Sequence, residues 1–137
     1  MKKNTSVEEL VQKAGLRATR QRIALLRALG NARSPQSAEQ LGHTLGDTLN
    51  LTTIYRALEQ LSEVGLVRRI NLGTNHALFE IADSHHHHLI CSSCGVIEDV
   101  EDCVTNAKLE SKLKRTYGFS TISDHSMEFF GICKKCT

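Results

Sequence analysis

Four cysteines of the chain form two C-x-x-C pairs, Cys91 with Cys94 and Cys133 with Cys136. Each pair offers two thiolates from one tight turn, and two such turns supply the tetrahedral sulfur set that zinc prefers. A zinc ion held by four protein ligands has no open position, so this pattern predicts a structural site. The pairs are 38 residues apart, which predicts a folded insert that returns the second pair to the first. Disulfides and unrelated free cysteines are the alternatives.

A run of four histidines, His85 to His88, follows shortly after Glu80. Successive side chains of a strand point to opposite faces, so residues 86 and 88 face one way and residues 85 and 87 the other. The run therefore has ligands for two different sites. Imidazole with carboxylate suits zinc, iron(II), manganese or nickel at the intermediate affinity of a reversible sensor. The alternative is a polar hinge that exposes its histidines.

Other soft ligands lie outside these two patterns. We interpret Cys103 as a half-buried small residue at the start of a predicted helix, with a ligand or sensor role as the alternative. His76 and His43 stand alone, which is typical of surface histidines. His125 is ambiguous by pattern alone.

The hydrophobic periodicity indicates the helices and strands that position these residues. Four helices are predicted in the first half, over residues 6–15, 19–30, 37–46 and from Thr52 or Thr53 to about residue 65. Thr19 and Ser37 are the predicted N-caps of the second and third helices. The segment 31–37 is predicted to be a loop. Strands over 66–71 and 76–81 form a hairpin, and helices followed by a hairpin are the layout of a winged helix-turn-helix.

A second, smaller α+β unit is predicted after a hinge at about residues 82–86. Strands are expected over 88–94 and 96–100, a helix over 104–117, and a final strand pair over 118–123 and 126–133. The fold class is thus α+β, with a winged-helix domain over 1–82 and a metal-binding domain over 83–137.

The two halves differ in charge and in soft ligands. Residues 1–82 contain 11 Lys and Arg against 7 Asp and Glu, whereas residues 83–137 contain 6 against 8. All five cysteines and five of the seven histidines lie in the second half. This asymmetry predicts a nucleic-acid face joined to a metal site.

Length and composition restrict the class of protein further. A chain of 137 residues that are 40% hydrophobic and 23% charged is typical of one or two small globular domains. It has no run of about 18 apolar residues, and its first lysines precede no apolar stretch, so we expect neither a spanning helix nor a secretory signal. A cytoplasmic location without membrane contact follows, and it disfavours disulfides.

The candidate DNA-contacting residues lie on the fourth and second helices. Thr53, Tyr55 and Arg56 occupy the start of the fourth helix, where a helix-turn-helix protein contacts base edges. Arg17 and Arg20 flank the start of the second helix and suit phosphate contacts. The alternatives are a solvated basic face and, for Tyr55, a half-buried packing residue.

Several segments together resemble the ferric uptake regulator family of bacterial metal-dependent repressors over nearly the whole chain. They are AGLRATRQRIALLRAL, SAEQL with LTTIYRALEQLSEVGLVRRI, HHHHLICSSCG and DHSMEFFGICKKC. The resemblance implies a DNA-binding winged helix, a dimerisation domain, and dimers or tetramers that bind inverted-repeat operators in double-stranded DNA. It implies no enzymatic activity.

The resemblance also implies roles by position. The cysteines of the two C-x-x-C pairs match structural zinc ligands, and Tyr55 matches a base-contacting tyrosine. Four residues match a regulatory metal site at the hinge, namely Glu80, His86, His88 and Asp99. Three residues match a further site in the dimerisation domain, namely His85, His87 and His125.

The chain departs from the family pattern in two places. The regulatory site often takes a histidine from the DNA-binding domain, but Pro35 and Gln36 stand there, and His76 is a candidate replacement. The further site usually includes a glutamate, but Asn106 stands at that position, and Glu110 is a candidate substitute.

The regulatory metal follows less directly from the residues. Glu80 beside two histidines fits the iron-sensing branch, whereas the four-histidine run and the missing histidine fit zinc sensors. We favour a repressor of metal-uptake genes that holds structural Zn²⁺ and senses Fe²⁺. The alternatives are zinc sensing, then manganese (Mn²⁺), nickel or peroxide sensing, and outside the family a zinc-ribbon interaction module or a zinc hydrolase.

Overall fold

The computed structural model describes residues 5–72, 76–83, 85–103 and 107–137. The chain divides into two compact units, Met1–Ser84 and His85–Thr137. Some predicted features lie outside the described residues, namely Val104 and Asn106, part of the turn at 71–75 and part of the predicted hinge.

Four helices of the first unit begin at side-chain caps. They are α1 (Val7–Lys13), α2 (Arg20–Asn31), α3 (Ala38–Thr44) and α4 (Leu51–Glu63). The predicted caps Thr19 and Ser37 are confirmed, and Ser37 forms a reciprocal capping box with Gln40. The predicted start of α4 was late. Asn50 caps this helix by accepting from the Thr53 N–H over 2.8 Å, because asparagine is a stronger N-cap than threonine.

The sheet of the first unit contains one strand that the sequence analysis missed. Its order is β1-β3-β2, with β1 at Gln36–Ser37, β2 at Val67–Ile70 and β3 at Leu78–Ile81, all antiparallel. The hairpin is confirmed. The predicted loop over 31–37 was wrong at its end, because Gln36 pairs with Phe79 and so gives β3 a second neighbour. Two residues are too short for alternation to show in the sequence.

The core of the first unit forms where α4 packs on α2, α3 and the sheet. Leu25, Leu41, Ile54, Leu58 and Phe79 are at most 1% exposed. The apolar face of α4 points into this core, which leaves its other face at the surface. The packing therefore fixes which residues of α4 can meet a partner.

In the second unit a three-stranded sheet has the order β5-β4-β6. Its elements are β4 (His87–Cys91), β5 (Ile97–Val100), α5 (Ala107–Tyr117), β6 (Glu128–Gly131) and a 3₁₀ turn (Lys134–Cys136). β4 is antiparallel to β5 and parallel to β6. The strand predicted over 118–123 is absent from this described segment. The predicted pairing of that segment with the last strand was therefore wrong, because β6 pairs with β4 instead.

Little apolar side-chain area is buried inside the second unit. Among its described residues, only Ile90 and Cys91 are buried apolar side chains, and α5 has no buried residue. Large apolar side chains are exposed instead, namely Leu89, Val96, Leu109, Leu113, Tyr117, Phe119, Phe129, Phe130 and Ile132. A unit of this size with so small a core needs further stabilisation, by metal or by association.

No helix in the described part of the chain has both the length and the apolar character that a membrane-spanning helix requires.

Candidate metal centres and nucleic-acid interface

The four-cysteine site forms where two parallel strands end. Cys91, the last residue of β4, lies in register with Gly131, the last residue of β6. Because the strands are parallel, both C-x-x-C turns begin at the same edge of the sheet. The Ser92 N–H donates to the Gly131 carbonyl over 2.8 Å and joins the two turns. Gly95 follows the first turn with a positive φ of 79°, which a glycine adopts without strain.

Distances between the sulfur atoms fit a tetrahedral ion. Cys94 Sγ lies 3.8 Å from Cys133 Sγ, and Cys133 Sγ lies 3.5 Å from Cys136 Sγ. Two sulfurs about 2.3 Å from a tetrahedral zinc are about 3.8 Å apart. All four ligand atoms lie within 4.8 Å of one another. The predicted insert therefore does return the second pair to the first, and the chain has a four-cysteine structural zinc site.

Thiol groups at this site ionise unequally. The backbone N–H groups of Cys133 and Cys94 donate to Cys91 Sγ over 3.3 and 3.5 Å and lower the pKa of this thiol to about 6. For Cys136, the Ser93 hydroxyl lowers the pKa, but the surrounding thiols outweigh it and raise that pKa to about 12. Four sulfurs this close do not all ionise alone, because like charges repel. A divalent cation removes this obstacle, and its binding releases protons.

The predicted alternation of the four histidines is confirmed, although β4 begins only at His87. His86 and His88 stack edge to face, with ring centroids 5.0 Å apart, and His85 and His87 do so at 4.7 Å. Asp99 lies directly opposite His88 in the β4–β5 register. Its Oδ1 is 3.9 Å from His86 Nε2 and 3.8 Å from His88 Nε2. Two imidazoles and one carboxylate thus surround one point on this face.

On the opposite face of β4, a second cluster contains a thiol. His85, His87, His125 and Cys103 offer ligand atoms that all lie within 4.8 Å of one another. Cys103 Sγ is 3.2 Å from His125 Nε2. Cys103 is exposed, whereas the sequence analysis interpreted it as half-buried packing.

Membership of this cluster fits the alternative interpretation of Cys103, a ligand, and not the favoured one of a packing residue. Glu110, the predicted substitute, lies on α5 and belongs to no ligand cluster among the described residues. The available signal was that Cys103 is the only cysteine outside the C-x-x-C pairs. Nothing in the sequence showed that the chain leaving β5 brings it to His125.

Two further predicted ligands lie in the first unit. Glu80 is a buried residue of β3 opposite Arg68, whose Nη1 is 3.2 Å from Glu80 Oε1. His76 is exposed and precedes β3. At the place of the missing histidine, the Gln36 amide donates to the carbonyls of Ser34 and Pro35 over 3.1 and 3.4 Å. The Gln36 side chain therefore stabilises the loop that precedes it.

The exposed face of α4 presents the predicted DNA-contacting residues. Arg56 is exposed, and Thr53 and Tyr55 are half-buried. The Tyr55 ring packs on the core, and its hydroxyl donates to Glu39 Oε1 over 3.4 Å. Burial first, and then the charge of Glu39, raise the pKa of Tyr55, so its hydroxyl remains a donor. Tyr55 thus has both the packing role and an available hydroxyl.

The arginines around α2 divide into two kinds. Arg22 donates to the Gln60 side chain over 2.7 Å and to the Arg17 carbonyl over 2.8 Å, so it joins α2 to α4. Arg17 and Arg20 are exposed. A cleft of about 250 Å³ runs between these helices, and Thr53 and Arg56 line it. The arrangement gives α4 a basic flank.

Comparison with known proteins decides the family. The model of the ferric uptake regulator family matches residues 13–130. The chain belongs to this family. It is therefore a metal-responsive transcriptional repressor with a DNA-binding winged helix, and not an enzyme. Family members of this kind are dimeric, which agrees with the exposed apolar residues of the second unit.

The relatives of this ferric uptake regulator family member are named for different metals. The ferric uptake regulation protein of Legionella pneumophila is 34% identical over 128 residues, which are 90% of this chain and 93% of the relative. The zinc uptake regulation protein of Mycobacterium tuberculosis is 37% identical over 127 residues, 90% of this chain and 96% of the relative. The Vibrio cholerae ferric uptake regulator structure has a TM-score of 0.75 and 29% identity, covering 92% of this chain and 98% of that one.

Proposed function

We propose that this protein represses metal-uptake genes when a sensory metal ion binds at His86, His88 and Asp99. The observation that carries the proposal is this cluster itself, whose oxygen and nitrogen donors stand apart from the four-cysteine site. Imidazole and carboxylate ligands bind divalent metals less tightly than four thiolates do, so this ion is exchangeable. Exchange is what a sensor requires.

Glu80 is the fourth ligand of this regulatory site in our proposal. The assignment rests on the family resemblance and on the short chain distance between Glu80 and His86. We assign residues 1–82 to the DNA-binding domain and 83–137 to the dimerisation and metal-binding domain, with the hinge at about 82–86. A metal ion that joins Glu80 to the second domain fixes this hinge. His76 remains an additional candidate ligand from the same domain as Glu80.

Metal binding then acts by a population shift. Without the ion, the two DNA-binding domains of a dimer sample many separations. The ion favours those in which the recognition helices match successive major grooves, roughly 34 Å apart. It acts only to the extent that it binds this state more tightly than the others. In this state α4 contacts base edges through Arg56, Tyr55 and Thr53, and Arg17 and Arg20 contact phosphates.

Iron(II) is our first candidate for the sensory metal. Glu80 and Asp99 give the proposed site two oxygen donors beside two imidazoles, a set that suits Fe²⁺ and also accepts Mn²⁺. Zinc is the second candidate. It is favoured by the 37% identity to the Mycobacterium tuberculosis zinc uptake regulation protein and by the absence of a histidine at Pro35 and Gln36.

The functional form in our proposal is a cytoplasmic homodimer, or a tetramer of two dimers, on an inverted-repeat operator. The exposed apolar residues of β6 and α5 support association through the second unit. A two-fold dimer presents two identical recognition helices, so its operator has the same symmetry. A reducing compartment keeps the zinc-binding cysteines as thiols.

The test is metal-dependent DNA binding by a ligand variant. The probe is a duplex selected from a randomised library by the wild-type protein, titrated anaerobically with Fe²⁺, Zn²⁺ or Mn²⁺ and the full-length chain. The sensory metal should raise the wild-type affinity on the order of 5–150-fold. His86→Ala with His88→Ala should remove this increase, because both imidazole ligands are lost.

Controls separate loss of sensing from loss of folding. His88 is buried, so Asp99→Asn, at a more exposed ligand, provides a second variant that keeps the shape of the side chain. His43→Ala changes an exposed histidine of the first unit and should leave the metal response unchanged. Dimeric, folded variants that still respond fully to metal would refute the regulatory site.

A further inference from the structure

We propose that Cys103 supplies a thiolate as the fourth ligand of the further metal site that the family resemblance implies for His85, His87 and His125, and that this thiolate makes it a zinc site. This site lies on the face of β4 opposite His86 and His88. It goes beyond the proposed function and does not depend on it, since none of its residues is a ligand of the sensory metal.

The ligand atoms of these four residues surround a single point. The four ligand atoms lie within 4.8 Å of one another. The His125 ring centroid is 4.5 Å from that of His85 and 5.2 Å from that of His87. Cys103 Sγ lies 3.2 Å from His125 Nε2, close enough for both to bind one ion after a small adjustment.

A second observation points to a ligand at this place. His87 is only 1% exposed, and neither of its ring nitrogens has a hydrogen-bond partner among the described residues. An unsatisfied buried polar group destabilises the folded state, so the ring nitrogens of buried histidines normally have partners. A metal ion supplies one partner for His87 and explains why an imidazole, and not an apolar side chain, is buried there.

The donor set selects the metal. A thiolate is a soft ligand, and with three imidazoles it forms the kind of tetrahedral set that zinc occupies. The cluster of His86, His88 and Asp99 has a carboxylate instead, which is a harder donor. Histidines of one four-residue run therefore serve two sites of different chemistry. The Cys103 site holds zinc in preference to iron or manganese.

Cobalt(II) distinguishes this site spectroscopically, because thiolate ligation of cobalt gives a charge-transfer band that imidazole and carboxylate do not. The full-length protein, purified with zinc in its four-cysteine site, is titrated with cobalt(II) under reducing conditions. We expect a thiolate-to-cobalt band in the wild type that is missing from Cys103→Ser. The double variant His86→Ala with His88→Ala should retain the band, since its other site holds no thiol.

Zinc affinity provides the second measurement. Loss of an outer-shell partner costs about 10–100-fold in metal affinity, so loss of the thiolate itself should weaken zinc binding at this site by more than about 100-fold. His125→Ala should weaken it similarly, and Cys103→His should retain zinc but lose the cobalt band. Glu110→Gln is the matched control and should behave as the wild type. An unchanged cobalt band and zinc stoichiometry in folded Cys103→Ser would overturn the proposal.

Discussion

We propose that Arg56 and Arg17 have different tasks at the DNA surface, although both are exposed arginines of the first unit. Arg56 lies on α4 beside Tyr55, and in our proposal its guanidinium contacts base edges. Arg17 precedes α2, and in our proposal it contacts the phosphate backbone. A bidentate contact to a base discriminates between sequences, whereas a phosphate contact adds affinity for any duplex. The two residues therefore differ in what their loss changes.

Replacing each arginine should separate these two effects. We expect Arg56→Ala to cost about 1–3 kcal/mol of binding and to relax the preference at one operator position. Arg17→Ala should weaken binding equally for all sequences and reduce the salt dependence by about one ion. Competition binding at several salt concentrations measures both effects. Arg27 pairs with Glu8, so Arg27→Ala is the control. An equal loss of DNA affinity in all three variants would contradict the assignment.

Individual cap residues position the elements that carry these side chains. Asn50 fixes the first turn of α4 through its contact with the Thr53 N–H, so the cap sets where Thr53 and Arg56 lie along the helix. The start of α4 had been predicted one to two residues later, at the threonines. Both threonines are acceptable caps, but asparagine precedes them and satisfies the backbone first.

Removal of this cap tests its role at the scale of the helix. We expect Asn50→Ala to lower the free energy of unfolding by about 0.5–2 kcal/mol, because a backbone donor of the first turn loses its partner. Asn50→Asp should keep most of the stability, since its carboxylate also accepts from the turn. Urea unfolding of the full-length protein with its structural zinc present gives both values. Equal stability of the wild type and the alanine variant would show that the cap contributes nothing.

The parallel pairing of β4 and β6 is the element-scale feature on which the structural zinc site depends. It brings Cys91 and Cys133 to one edge of the sheet across 42 positions of chain. The same strand β4 separates two further ligand sets by simple alternation. β4 and the two histidines before it thus contribute residues to each of the three candidate ligand clusters among the described residues.

At the scale of the whole molecule, the two units differ in how they are stabilised. The first unit has a continuous apolar core of helices and sheet. The second has few buried apolar residues among those described, a four-cysteine zinc site and an exposed apolar surface. We infer that metal and the second protomer stabilise the second unit, whereas the first unit is stable by its own packing.

Removal of the structural zinc should therefore affect the units unequally. Structural zinc contributes on the order of 10 kcal/mol to the folding of small domains, which exceeds what this core can supply. We expect Cys94→Ser, or chelation under reducing conditions, to unfold the second unit and to convert dimers into monomers. The helical signal of α1 to α4 should remain. Sedimentation and circular dichroism measure these outcomes, and a chelated protein that stays dimeric and fully folded would contradict the inference.

Much of this protein was determined by local patterns in its sequence. Periodicity and caps predicted α1 to α3 and the hairpin β2–β3, the two C-x-x-C pairs predicted the zinc site, and alternation predicted two histidine faces on β4. These succeed because each depends on neighbouring residues. The family resemblance supplied the function that those patterns alone left open.

Only the tertiary structure decided which distant residues meet. It brought Cys103, and not Glu110, to His125, and it paired Gln36 with Phe79 in a strand that local sequence does not indicate. It also left residues 118–123 outside any strand, and it paired β6 with β4 instead of with that segment. Such outcomes depend on the path of the chain between elements and on competition for sheet edges, and neither is a property of a short segment. For this reason the sequence predicted the histidines and the paired cysteines as ligands, whereas only the fold showed that Cys103 lies beside His125.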